Sequence, residues 1–181
     1  AAAFNSTFLQ LDNFKKATTA QMQDAMDGIN LLTKELTSVN DRILSSGQSG
    51  KAPNSFLDLR DRLVQDISAM ADISVSYTDR GVANLTMGSS GAGPSLVDGN
   101  TRTQLGFIER YDRIGGLQIV LNPLSSQTPT SQLSSGIIAG LSEAYAAIDG
   151  VVNQMNQLAV QITTDLNSQH HRGITMDGLH G

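Results

Sequence analysis

The sequence predicts an α+β domain, mainly α: long antiparallel heptad helices forming a rod, joined by a third, shorter helix and a small antiparallel β element. Three observations predict it. Apolar residues recur at alternating steps of three and four in two blocks, one toward each end of the chain. A second amphipathic stretch follows the first block, and after it the apolar period drops from helical to two. With 181 residues the chain has room for one sizeable core, so a single rod-like domain over 1–181 is expected.

The first helix is predicted over about 4–45. Met22, Ala25, Ile29, Leu32, Leu36, Val39 and Ile43 form its seam, about 33 Å long at about 1.5 Å per residue. Phe4, Phe8 and Leu11 keep the register upstream, but Lys15 and Thr18 take the next seam positions and make that stretch wetter. Ser45-Ser46-Gly47 ends the helix, because glycine accepts the left-handed conformation common at helix ends, and Gly50 and Pro53 continue as loop. A helix over about 55–70 follows, with Ser55 as its expected cap, Asp58 near its positive end, and a stripe of Leu59, Leu63, Ile67 and Met70.

The β-rich segment is predicted over about 72–123. Ile73, Val75 and Tyr77 alternate with polar residues, Asp79-Arg80-Gly81 turns the chain, and Ala83, Leu85 and Met87 alternate again as a hairpin. A Gly/Ser loop covers residues 88–93, Leu96-Val97-Asp98-Gly99-Asn100 reads as a short strand and turn, and Leu117 to Leu121 as the remaining strand. Residues 124–135 are a polar connection. The last helix is predicted over about 134–168, with Ile137, Leu141, Ala144, Ile148, Val151, Met155, Leu158 and Ile162 as its seam. Packed antiparallel, the two seam helices form the shaft, the shorter helix lies along it, and the β element braces one side.

The composition removes several classes of chemistry. Cysteine and tryptophan are absent, which excludes disulfides, thiolate metal ligands and thiol nucleophiles. The net charge is −5 with 12 Lys and Arg against 17 Asp and Glu. The basic residues are scattered, so neither nucleic acid nor an anionic membrane is an expected partner. Arg102, Arg110 and Arg113 are interrupted by Glu109 and Asp112. No apolar run approaches the roughly 20 residues of a membrane span. Gly88-Ser-Ser-Gly-Ala-Gly93 lacks the lysine and the following helix of a phosphate cradle and is read as loop. Asp58, Asp61 and Asp66 with Arg60 and Arg62 read as solvated helix-face ion pairs rather than acid–base machinery. Met22 and Met155 read as core filler. No catalytic residue, cofactor or metal site is assigned. A metal reading would have to use His170 and His171, which are placed instead at a helix end, bonding the last carbonyls.

Three passages carry a resemblance. Ile29-Asn30-Leu-Leu-Thr-Lys34-Glu-Leu-Thr-Ser-Val-Asn40-Asp41-Arg-Ile43 is the first. The second is Asn54-Ser-Phe-Leu57-Asp58-Leu-Arg60-Asp61-Arg-Leu63-Val64, and the third Leu166-Asn167-Ser-Gln169-His170-His-Arg-Gly173 followed by Met176-Asp177-Gly178. Together they resemble the flagellar hook-associated protein 1 family, from about residue 29 to the end. The resemblance implies a non-enzymatic structural subunit of the bacterial flagellum, at the junction of hook and filament. It implies an extracellular location, reached through the flagellar export apparatus. The partners it implies are other axial proteins (the hook protein and the filament-side junction protein), copies of the same chain in the assembled tube, and an export chaperone for the full-length chain. The family's terminal polymerisation segments are not in this sequence, and Ala1 in place of an initiator methionine fits a segment of a longer chain. The alternative is another secreted coiled-coil adaptor, or a filament-side junction or flagellin-like protein.

Overall fold

The computed structural model describes residues 2–46, 52–110, 116–130 and 133–172. Helix α1 (Ala2–Ser46) is followed by α2 (Asn54–Met70), seven short strands and α3 (Gly136–Arg172). At 45 residues α1 is about 68 Å long, given about 1.5 Å of rise per residue, and the other elements are arranged along it.

Met22, Ile29, Leu36 and Ile43, spaced by seven, are all fully buried on α1. That spacing keeps one row facing its partners from Met22 to Ile43. The neighbouring row is Met26, Thr33 and Asn40, also buried. Its residues become polar toward the C-terminal end: the Thr33 hydroxyl donates to the Asn30 carbonyl within the helix, and Asn40 bonds strand backbone at Ala83.

α2 runs antiparallel to α1. Its last residue, Met70, lies against Gly28, while Leu59 and Leu63 border a groove with Glu35, Val39 and Arg42. Leu63, Val64 and Ile67 are its buried residues. Pro53 precedes its first turn and makes no side-chain cap; the Pro53 carbonyl instead accepts the Phe56 and Leu57 amides. Ser55 is therefore inside the helix rather than its cap, and proline supplies the start through its fixed φ.

α3 is also antiparallel to α1. Gly136 begins it beside Met70, at the level of Gly28, and Asp149 meets Lys15. α2 and α3 thus cover successive lengths of the same helix, and the β-rich segment is inserted where one ends and the other begins. Ser134 Oγ donates to Asp72 Oδ2 at 2.6 Å across that joint.

The inserted segment holds two antiparallel sheets. The first has the order β1 (Ile73–Tyr77), β2 (Ala83–Met87), β3 (Ser95–Asp98), β4 (Thr101–Arg102); the second has β5 (Leu105–Glu109), β6 (Leu117–Leu121), β7 (Thr128–Pro129). The β1–β2 hairpin pairs Ile73 with Met87 and Tyr77 with Ala83. Two expectations change here. Leu117 to Leu121 is not the one strand left after the hairpin and the short strand at Leu96, since β5 pairs with it in register from Leu105–Leu121 to Glu109–Leu117. The polar connection after Leu124 also contains a short strand, β7. The loop at 88–93 is tightly built: the Met87 amide donates to the Pro94 carbonyl, and a Cβ at Gly93 would overlap the Met87 carbonyl. One contiguous core unites α1, Leu63 and Ile67 of α2, Leu85, Met87, Leu96 and Val97 of the first sheet, Leu105, Ile119 and Leu121 of the second, and Ile138 and Tyr145 of α3. Among the described residues no helix is long and apolar enough to cross a membrane.

Candidate functional site: the helix-packing surfaces

Side chains on α1 position both sheets. Asn40 is fully buried; its Nδ2 donates to the Ala83 carbonyl at 2.8 Å and the Gly99 carbonyl at 2.7 Å, and its Oδ1 accepts the Ala83 amide at 3.1 Å. Ten residues earlier, Asn30 does the same to Leu105, donating to its carbonyl at 2.8 Å and accepting its amide at 2.9 Å. A carboxamide offers a donor and an acceptor with the spacing of a peptide group, so each asparagine acts as one residue of an added strand. Asn30 therefore clamps the second sheet and Asn40 the first. Both belong to the first family-like passage, and the sequence pattern alone assigns neither a role. The available signal was a polar residue beside an otherwise apolar heptad row.

On α2, Leu63 is buried, Leu57 is half-buried, and Asp58 and Asp61 are exposed. Arg60 is the organising member of this motif. It donates to the Gly81 carbonyl in the β1–β2 turn, pairs with Asp61 at 2.6 Å, and its guanidinium lies 4.6 Å from the centroid of the Tyr77 ring. One planar cation thus fixes the hairpin tip to α2, a task suited to the fork and face of arginine.

The junction of α1, α3 and β5 is polar. Lys15 pairs with Asp149 at 2.5 Å and lies 4.8 Å from the centroid of Tyr145, whose hydroxyl is 3.5 Å from Glu109 Oε2. Beside it is a recess of about 310 Å³ bordered by Asp12, Lys15, Lys16, Thr19 and Glu109. Burial alone would lower the pKa of Lys15, but Asp149 and the Tyr145 hydroxyl outweigh it and raise it above the usual lysine value. Burial raises Tyr145, against the pull of Lys15. Both shifts favour the forms present at neutral pH, ammonium and phenol. Their contributions are fully present below the unfolded pKa values and are lost as pH rises through the folded ones. The urea midpoint is therefore expected to hold through neutral pH and fall above about pH 10. In Tyr145→Phe, which cannot ionise there, the fall is expected to be smaller; an identical fall would show that Tyr145 does not titrate with unfolding.

The predicted seam residues divide by helix. On α1, Met22, Ile29, Leu36, Val39 and Ile43 are buried and Leu32 is half-buried. On α3, Leu141, Ile148 and Met155 are half-buried, whereas Ile137, Val151, Leu158 and Ile162 are 52, 43, 53 and 48 % exposed. Within this chain the expectation changes in part: the covered residues include Ile138, Tyr145, Asp149 and Val152 together with the predicted Leu141, Ile148 and Met155, whereas Ile137, Ala144, Val151, Leu158 and Ile162 lie on the exposed flank. Asn167, Gln169, His170 and His171 are exposed at the end of α3; Gly173, Met176, Asp177, Gly178 and His180 lie outside the described residues. Among the described residues no three His, Cys, Asp or Glu gather as a metal site. What the arrangement offers is packing: an apolar row, two carboxamide clamps, and helix faces open to neighbours.

Comparison with known proteins places this arrangement. A family profile described as the flagellar hook-associated protein FlgK helical domain matches residues 1–181. Flagellar hook-associated protein 1 of Escherichia coli strain K12 is 29 % identical over 97 % of this chain, and that of Bacillus subtilis strain 168 is 26 % identical over all of it. The structure of the flagellar hook junction protein FlgK from Burkholderia pseudomallei superposes with a TM-score of 0.79, at 25 % identity over 98 % of this chain. This chain spans 32 % of the Escherichia coli protein, 40 % of the Bacillus subtilis protein and 32 % of the Burkholderia chain. Matched by the profile from its first residue to its last, the chain belongs to the flagellar hook-associated protein FlgK family, as its helical domain.

Proposed function

We propose that this domain is a non-catalytic structural unit of the bacterial flagellum at the hook–filament junction, joining hook to filament by helix packing and lateral contacts between subunits. The observation that carries the reading is the family match over residues 1–181, on a molecule in which Asn40 and Asn30 hold α1 to the two sheets. Neighbours would be the hook protein, the filament-side junction protein and other copies of the same chain, with an export chaperone holding the full-length chain before secretion to the cell exterior. The row Ile137, Val151, Leu158 and Ile162 gives such neighbours an apolar edge. Deleting the gene that encodes this chain is expected to leave hooks without attached filaments and filament subunits in the medium. Filaments of normal length and attachment would overturn the reading.

A further inference from the structure

The packing along α1 changes abruptly at Lys15. From Thr18 to Ile43 the helix buries side chains at every turn, whereas before Thr18 none is buried: Phe4, Phe8 and Leu11 are half-covered, and Leu9 and Phe14 are exposed. α3 changes at the same level. Ile138, Ala139, Tyr145 and Asp149 are buried and nothing after Asp149 is. In the antiparallel register set by Lys15 and Asp149, Leu11 stands level with Val152, Phe8 with Met155 and Phe4 with Ala159, all half-covered. The boundary on both helices therefore coincides with one ion pair, whose lysine and aspartate side chains are 24 and 10 % exposed.

We infer that the Lys15–Asp149 pair is the latch of a jointed helix pair, in which the arm beyond it (residues 2–14 and 150–172) opens and closes as a unit of its own while the body stays folded. Local opening is set by how much buried contact it breaks. Opening the arm breaks half-covered contacts, and helices with so little packing are marginal in water. Opening past the latch would separate a pair of largely covered charges and then expose Tyr145, Met22 and Ile138, so it stops there. The arm can thus repack against a neighbouring helix without disturbing either sheet.

Hydrogen exchange on the intact chain tests this. Amides of residues 4–14 and 150–160 are expected to exchange at least about tenfold faster than those of 22–43 and 138–149, corrected for intrinsic rates, and to share a dependence on urea smaller than that of the body. A single shared protection for arm and body would overturn the inference. Lys15→Met is expected to move the boundary inward, raising exchange of residues 18–26 and 139–148 about tenfold to a hundredfold while 29–43 keep theirs. Lys15→Arg, which retains the charge, is expected to keep the boundary in place. A uniform rise across the molecule in Lys15→Met, or no change at all, would show an ordinary contact and not a latch.

Discussion

Asn40→Ala is expected to destabilise the domain by about 3–5 kcal/mol in urea unfolding, a large fraction of the roughly 5–15 kcal/mol typical of folded domains. The substitution removes two donors and one acceptor at a fully buried position. It leaves the Ala83 amide, the Ala83 carbonyl and the Gly99 carbonyl without their partner in a space too small to hydrate freely. Each buried group so stranded costs about 1–3 kcal/mol. Leucine would not rescue the site, since apolar volume supplies none of the three bonds. Asn40→Asp keeps the acceptor but loses both donors and brings a charge into the core, so it is expected to be at least as damaging. Asn30→Ala should cost less, about 1–2 kcal/mol, because Asn30 is only half-buried and makes two bonds, both to Leu105. The order Asn40 above Asn30 is the discriminating result. Equal losses would mean that burial and the number of bonds do not set the cost of removing a clamp. No loss in either would mean that the carboxamides do not hold the sheets, since alanine is the better helix former.

These clamps also mark how far the fold was legible in the sequence. The α1 row could be read directly, because Met22, Ile29, Leu36 and Ile43 repeat at seven and all are apolar. The β1–β2 hairpin could be read because Ala83, Leu85 and Met87 alternate with polar residues and all three are buried. Leu141, Ile148 and Met155 lie on the covered side of α3 as read, and the alternate positions of that helix were displaced by one residue for a physical reason. Its packed row contains Tyr145 and Asp149, which a hydrophobic count scores as solvent-facing, yet Lys15 on α1 gives that aspartate a partner. The adjacent Ile137 and Ile138 offer either register, and polar complementarity across the helices chose Ile138. Strand β5 was hidden differently. Leu105-Gly-Phe-Ile-Glu has no clean alternation, because Gly106 is required by Pro123, which packs where a Cβ would stand. The roles of Asn30 and Arg60 depend on partners 75 and 21 residues away, and no local pattern points to them.

Gly136→Ala is expected to cost about 2–4 kcal/mol, and Gly140→Ala, one turn further along the same helix, to stabilise by about 0.5–1 kcal/mol. Gly136 has φ +86°, a left-handed conformation that costs an L-residue about 1–3 kcal/mol. An added Cβ there would also stand 2.7 Å from the Met70 carbonyl oxygen and 2.9 Å from the Ala71 nitrogen. Those are backbone atoms of the α2 terminus, so relief requires α2 and α3 to move apart at the joint where the β-rich segment is inserted. At Gly140 a methyl group would meet nothing within 4 Å, so the glycine contributes only a conformational entropy cost that alanine would reduce. Urea unfolding of both variants decides the matter. Opposite signs would establish that α3 owes its placement to a close backbone approach at Gly136, whereas stabilisation by both would mean that the joint yields easily and that α2 and α3 are held by α1 alone.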